Sequence, residues 1–165
     1  IKAEIFSGTA LPGGFAADAR LNELHSVAYF VSNRSDTDDT VPSLRRAFIN
    51  TTGAQPAIAT EEVIAGVEDL QIQYGVDLTG DGSANSYLGA DGVADPQTIV
   101  SVRVWLRLRT EDPELGFQDD RTWLYSEEAF NAANTGTQDD DAFRRTVVSK
   151  TIELRNRRTA IANGA

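Results

Sequence analysis

The chain has 165 residues and carries 15 Lys and Arg against 25 Asp and Glu, a formal net charge of −10. That length suits one domain with its own hydrophobic core, and the charge repels a phosphate backbone, so no nucleic acid is expected as a partner. Cysteine is absent, which excludes disulfides, thiolate nucleophiles and cysteine metal sites, and no apolar run reaches the roughly 20 residues that span a bilayer.

A start at Ile1 without any methionine reads as part of a longer protein. In chain order, "HSVAYFVSN" and "PSLRRAFIN" are extended segments joined by the polar "RSDTDDTV", which predicts a β-hairpin over residues 25–50. Next, "TEEVIAGVEDL" offers Thr60 as an N-cap, Glu61 and Glu62 in a first turn, and Val63, Ile64, Val67 and Leu70 at helical spacing. A two-turn helix leading into a strand is the expectation.

In "LQIQYGVD", Leu70, Ile72, Tyr74 and Val76 alternate with Gln71 and Gln73, the pattern of a half-buried strand. The same period recurs in "TIVSVRVWLRLRT", with Val100, Val102, Val104, Leu106 and Leu108 on the face expected to be buried and Ser101, Arg103, Arg107 and Arg109 on the other. Trp105 shares the polar parity, which predicts either a partly covered second face or arginines stacked on the indole. The stretch from Glu111 to Asp141 lacks alternation and reads as a long loop with a short helix around Glu127 to Ala133, anchored by Trp123, Leu124, Tyr125 and Phe130. In "FRRTVVSKTIELRNRR", Phe143 and Val147 have one parity and Val148, Ile152 and Leu154 the other, which predicts a long strand bent by a bulge near Val147. The tail "TAIANGA" reads as frayed. Together these make one α+β domain over residues 1–165, mostly antiparallel β, with one short helix before a central strand.

Chemistry is sparse. The lone histidine, His25, opens an apolar strand and reads as a surface or packing residue. No Walker loop or Rossmann fingerprint exists, and nothing places two acids as a glycosidase pair. Asn33-Arg34-Ser35 and Asn50-Thr51-Thr52 match the glycosylation triplet, which is common by chance. The strongest candidate is "VDLTGDGSANSYLGADGV", where Asp77, Thr79, Asp81, Ser83, Asn85 and Asp91 offer hard oxygen ligands of the kind calcium takes. Against it, Leu88 stands where an EF-hand-type loop has its bidentate glutamate. The competing reading is a turn in which the Asp and Asn side chains cap their own backbone.

Acids gather in candidate loops at 36–39, 111–114 and 139–141, whereas residues 143–158 hold six basic residues and one acid. Acidic exposed loops of this kind serve solubility in the first instance, and the asymmetry could also steer a partner.

Taken in order, "AYFVSN", "PSLRRAFIN", "EEVIAGVEDLQIQYGVD", "IVSVRVWLRLRT" and "FRRTVVSKTIELRNR" resemble the C-terminal part of the PilW family of type IV pilus minor pilins, over residues 25–158. The most specific pieces are "GVEDLQIQYGVD", "VSVRVWLRLRT" and "RRTVVSKTIELRNR". The resemblance implies a pilin-like globular domain, related to the J-type minor pseudopilins, that joins a pilus through an N-terminal hydrophobic helix not present in this chain. It further implies a non-enzymatic subunit of the priming and tip complex, located in the inner membrane and periplasm before assembly and in the extracellular pilus afterwards. Its partners would be other minor pilins, the major pilin and a tip adhesin, and its roles pilus biogenesis, adhesion and twitching motility. The alternative is a calcium-stabilised adhesin or glycan-binding module, with the loop from Asp77 to Asp91 and the rings of Trp105, Trp123 and Tyr125 as its site.

Overall fold

The computed structural model describes residues 26–50, 56–125 and 139–154. His25, the short helix expected from Glu127 to Ala133 with its anchor Phe130, Thr51 and Thr52 of the second glycosylation triplet, and the tail from Thr159 lie outside the described residues.

Among the described residues seven strands are present: β1 (Val27–Ser32), β2 (Ser43–Asn50), β3 (Ala57–Ala65), β4 (Val67–Val76), β5 (Ser86–Leu88), β6 (Ile99–Arg109) and β7 (Arg145–Glu153). All pairings are antiparallel and form two sheets, ordered β1-β2-β3 and β5-β4-β6-β7. Helical structure among the described residues amounts to two short 3₁₀ turns, Ala90–Gly92 and Pro96–Thr98.

The hairpin expected over 25–50 forms as β1 and β2, in register from Val27 opposite Phe48 to Ser32 opposite Ser43. The helix expected from Thr60 to Leu70 does not form: Thr60 to Ala65 belong to β3 and Val67 to Leu70 open β4. Glu61 and Glu62 resemble a helical first turn but face Arg46 and Arg45 across the β2–β3 ladder, and such opposite-charge pairs stabilise a sheet. Thr60, Val63 and Ile64 are β-branched and favour the extended chain. A register shift between Leu44 and Arg45 inserts Val63 as an extra residue, which is why the local spacing mimics a helix.

Gly66 alone joins β3 to β4 and carries the chain from one sheet to the other. Its φ is +81°, a conformation L side chains rarely adopt. A Cβ at this position would meet the Arg109 carbonyl oxygen at 2.7 Å. The glycine N–H donates to the Pro42 carbonyl (2.7 Å), and its own carbonyl accepts from Arg109 N–H (2.8 Å), so both sheets are tied to this residue.

The β7 pairing runs without interruption from Arg145 opposite Arg109 to Glu153 opposite Ser101, so the bulge expected near Val147 is absent. Val147 lies opposite Arg107 and Val148 opposite Leu106, so adjacent valines serve the two faces of a regular strand.

The faces of the second sheet differ from the alternation rule. Of the β6 residues expected inside, Val100 is buried but Val102, Val104, Leu106 and Leu108 are only partly covered. On the opposite parity Ser101, Trp105 and Arg107 are buried. Loops 110–125 and 139–144 bring carboxylates to that face, and paired charges can be covered where lone ones cannot.

Candidate functional site

The loop after β4 is closed by its own side chains. Asp77 Oδ1 accepts the N–H groups of Gly80 (2.7 Å) and Thr79 (3.0 Å), and Oδ2 accepts that of Gly82 (2.7 Å). Asn85 Oδ1 accepts from Leu78 N–H at 2.7 Å, and Asp81 Oδ1 from Ser83 N–H at 2.8 Å. Burial pushes the Asp77 carboxyl up, but the N–H groups of Gly82, Gly80 and Thr79 outweigh this and hold it below the usual carboxylate range. Asp91 sits in the first 3₁₀ turn, and Asp95 accepts from Gln97 N–H to cap the second. Among the described residues no group of three or more His, Cys, Asp or Glu is placed to hold a metal ion. Gly80 and Gly82 supply positive φ at the turn, which the Asp and Asn caps accommodate.

On the covered face of the second sheet the arginines meet acids from three segments. Arg145 bonds Glu68 through Nε and Nη2 (2.7 and 2.9 Å) and Asp141 through Nη1 and Nη2 (2.6 and 2.8 Å). Its side chain is 2% exposed, with Asp139 at 3.4 Å and Asp119 at 3.8 Å. Glu68 also lies 3.3 Å from Arg107 Nε and 3.6 Å from Arg109 Nε. Asp119 is almost fully buried and pairs with Arg121 at 2.7 and 3.0 Å. Hydrogen bonds from Arg145, above all, hold the Asp141 carboxyl down at about 2. Remaining guanidinium faces lie on rings: Arg103 is 3.6 Å from the Tyr87 centroid and 5.6 Å from that of Trp105, and Arg109 is 3.9 Å from that of Phe143. Both expectations for Trp105 are thus met, since its face is covered and an arginine approaches the indole.

This arrangement corrects the picture of residues 144–158 as a basic surface. Arg144 pairs with Glu114 through two hydrogen bonds, and Arg145 is enclosed by acids. Lys150 remains exposed, and Arg155, Arg157 and Arg158 lie outside the described residues. Sequence reasoning missed the cluster because its acids come from separate segments, Glu68 from the start of β4 and Asp119, Asp139 and Asp141 from the long loop. The available signal was a strand with three arginines on one parity beside an indole.

The rings named for a glycan site are not available as an open platform. Trp105 and Tyr125 are buried, the Tyr125 hydroxyl donates to Asp69, and Arg121 covers Trp123 at 4.5 Å from its centroid.

The other face of the second sheet is apolar and open. Leu70, Ile72 and Tyr74 of β4 lie opposite Leu106, Val104 and Val102 of β6, and Val148 and Ile152 of β7 continue the rows. Ile72, Val148 and Ile152 are 36%, 47% and 51% exposed, and the exposed Lys150, opposite Val104, lies between the two β7 residues; a mostly apolar exposed face of this kind marks an interaction surface. Among the described residues no helix is long and apolar enough to cross a membrane.

A two-sheet antiparallel scaffold whose acids and arginines engage one another, and whose largest regular face is apolar, has the make-up of an assembly component. Residues 28–156, well over half of the chain, match the family model described as Type IV Pilus-assembly protein W, and the chain belongs to that family. It is therefore a component of type IV pilus assembly, associated with the cell envelope and with other parts of that machinery, in a family of structural components. Comparison with curated proteins and with solved structures returned no match.

Proposed function

We propose that this chain is the globular part of a minor pilin that acts in the priming and tip complex of a type IV pilus, supporting biogenesis, adhesion and twitching motility. The observation that carries this reading is the open apolar face of β4, β6 and β7. Fully burying a Val, Leu or Ile side chain is worth about 1.5–3 kcal/mol, so side chains left one-third to one-half exposed retain a large share of that gain for a partner. An apolar helix fits such a face, and the family resemblance supplies one, the N-terminal pilin helix that enters the pilus. The tip adhesin, the major pilin and other minor pilins would then be the neighbours.

The loop from Asp77 to Asp91 is, in this reading, a turn that shapes the end of β4 and needs no calcium. Its support is the engagement of both Asp77 oxygens and of Asn85 Oδ1 by backbone N–H groups.

The test replaces Val104 or Leu106 with glutamate in the chromosomal gene. Pilus number should fall to that of a deletion strain and co-purification with other minor pilins should cease, while the isolated domain keeps its β-sheet circular dichroism. Normal piliation in both variants and in the deletion strain, with no pilin partners recovered, would sink the proposal.

A further inference from the structure

Away from the apolar face of the second sheet, one face of β1-β2-β3 and the loop after β1 border a half-open pocket of about 390 Å³. Phe30, Arg45 and Thr60 reach it from the three strands, and Arg34, Asp36 and Asp39 from the loop. The register explains the grouping, since Phe30 lies opposite Arg45 and Arg45 opposite Glu62, so all three side chains share a face.

The floor is built and held. Arg45 Nη1 donates to Asp36 Oδ1 at 2.8 Å and lies 3.9 Å from Glu62 Oε2, which accepts the Asp36 N–H at 2.7 Å. The loop is fixed by its own bonds: Ser35 Oγ accepts from Asp38 N–H (2.9 Å), Asp38 Oδ1 from Thr40 N–H (2.7 Å), and Ser43 Oγ donates to the Arg34 carbonyl (2.7 Å). Val41 anchors it from within the core. A ligand entering such a site has little loop to order, which lowers the entropy cost of binding.

Above this floor, polar groups remain open. Among the described residues the Arg34 guanidinium, the Asp39 carboxylate and the Thr60 hydroxyl make no hydrogen bond or ion pair, and Phe30 is 39% exposed. Among the lining residues two arginines balance two aspartates, and the Glu62 carboxylate beneath them is engaged by the Asp36 N–H and lies beside Arg45, so an anion meets Asp36 and Asp39 and a cation meets Arg34 and Arg45. What suits the set is a neutral ring with hydroxyls that both donate and accept and a C–H face that lies on an aromatic ring. The volume, near the lower end of the roughly 300–1,000 Å³ typical of ligand pockets, holds about one or two sugar rings. We propose that the pocket formed by Phe30, Arg34, Asp39, Arg45 and Thr60 binds a neutral saccharide unit, with Phe30 under the ring and Arg34 and Asp39 on its hydroxyls.

The site is on a different sheet from the apolar face and stands or falls independently of the pilin reading. The experiment is saturation-transfer NMR on the purified chain with methyl pyranosides of glucose, galactose, mannose and N-acetylglucosamine. At least one should bind, with Kd on the order of 1 mM. Arg34→Ala, which removes an exposed and unpaired side chain, should weaken binding about tenfold. Phe30→Leu, which keeps an apolar residue in β1, should do the same, with circular dichroism reporting that the sheet is retained. Piliation should be normal in the Arg34→Ala strain, which separates this site from the assembly surface. Silence from all four glycosides, equal binding by wild type and Arg34→Ala, or capture of inorganic phosphate in their place would overturn the proposal.

Discussion

Replacing Arg145 with methionine removes the most enclosed positive charge among the described residues. Its guanidinium holds Glu68 and Asp141 through four hydrogen bonds at 2.6–2.9 Å. Four carboxylates, those of Glu68, Asp119, Asp139 and Asp141, would then share Arg107, Arg109 and Arg121. Breaking a buried pair from one side costs about 3–5 kcal/mol. The lower end applies here, because Glu68 keeps Arg107 and Arg109 nearby and Asp119 keeps Arg121. A loss of about 3 kcal/mol, at about 2–4 °C per kcal/mol for a chain of this size, lowers Tm by about 6–12 °C. Thermal melts of Arg145→Met at neutral pH measure this, and the Arg145→Met/Glu68→Gln double variant should lose less than the two single losses summed, the signature of direct coupling in a double-mutant cycle. Arg145→Lys should fall between, since an ammonium cannot pair side-on with two carboxylates. A Tm within about 2 °C of wild type would refute the claim that this cluster fastens the long loop to the sheet.

The other predictions concern the link, the acid limb and the loop. Gly66→Ala should destabilise by about 2–4 kcal/mol, from the left-handed backbone and the approach to the Arg109 carbonyl; an unchanged denaturation midpoint would contradict it. Asp141, whose folded pKa is lowered to about 2 from 3.8, contributes stability that is full above about pH 4 and is lost as pH falls through 2. The acid limb of a stability–pH curve should therefore be shallower over that window in Asp141→Asn, and an identical limb would refute the assignment. Calcium and a chelator should leave the Tm equal, and a rise with calcium would show that the loop from Asp77 binds it.

The strands were legible where alternation had one cause. In β4 and β6, apolar and polar residues alternate over six or more positions, and the ladder follows them; β1 and β2 were legible instead as extended segments on either side of a polar loop. The helix from Thr60 misled because a capping residue, two glutamates and a bulge at Val63 share spacing with a first helical turn, while the deciding facts, Arg45 and Arg46 opposite, lie across the sheet. Face assignment failed in β6 for a related reason. Arginine beside valine reads as solvent beside core until acids from residues 119, 139 and 141 arrive, and their arrival depends on tertiary structure. The loop oxygens of Asp77 and Asn85 were visible as a group, but whether they face inward to a cation or to their own amides depends on dihedral angles that composition does not encode. The pocket beside Phe30 had no sequence signal beyond a polar loop, because its floor is assembled from three strands.

The adjacent Val147 and Val148 have a consequence for how β7 finds its place. In most half-buried strands a one-residue slip exposes the whole apolar set, so hydrophobicity itself enforces the register. Here a slip that brings Val147 into the place of Val148 also exchanges Ile152 for Thr151, so the apolar penalty is that of one side chain rather than of the whole set. The same slip would swing Arg145 to the opposite face, away from Glu68 and Asp141 and onto the apolar rows, where a lone guanidinium is costly. The buried ion pair thus acts as an indexing pin: electrostatics selects the one alignment among near-equivalent ones, and hydrophobic contact then tightens it.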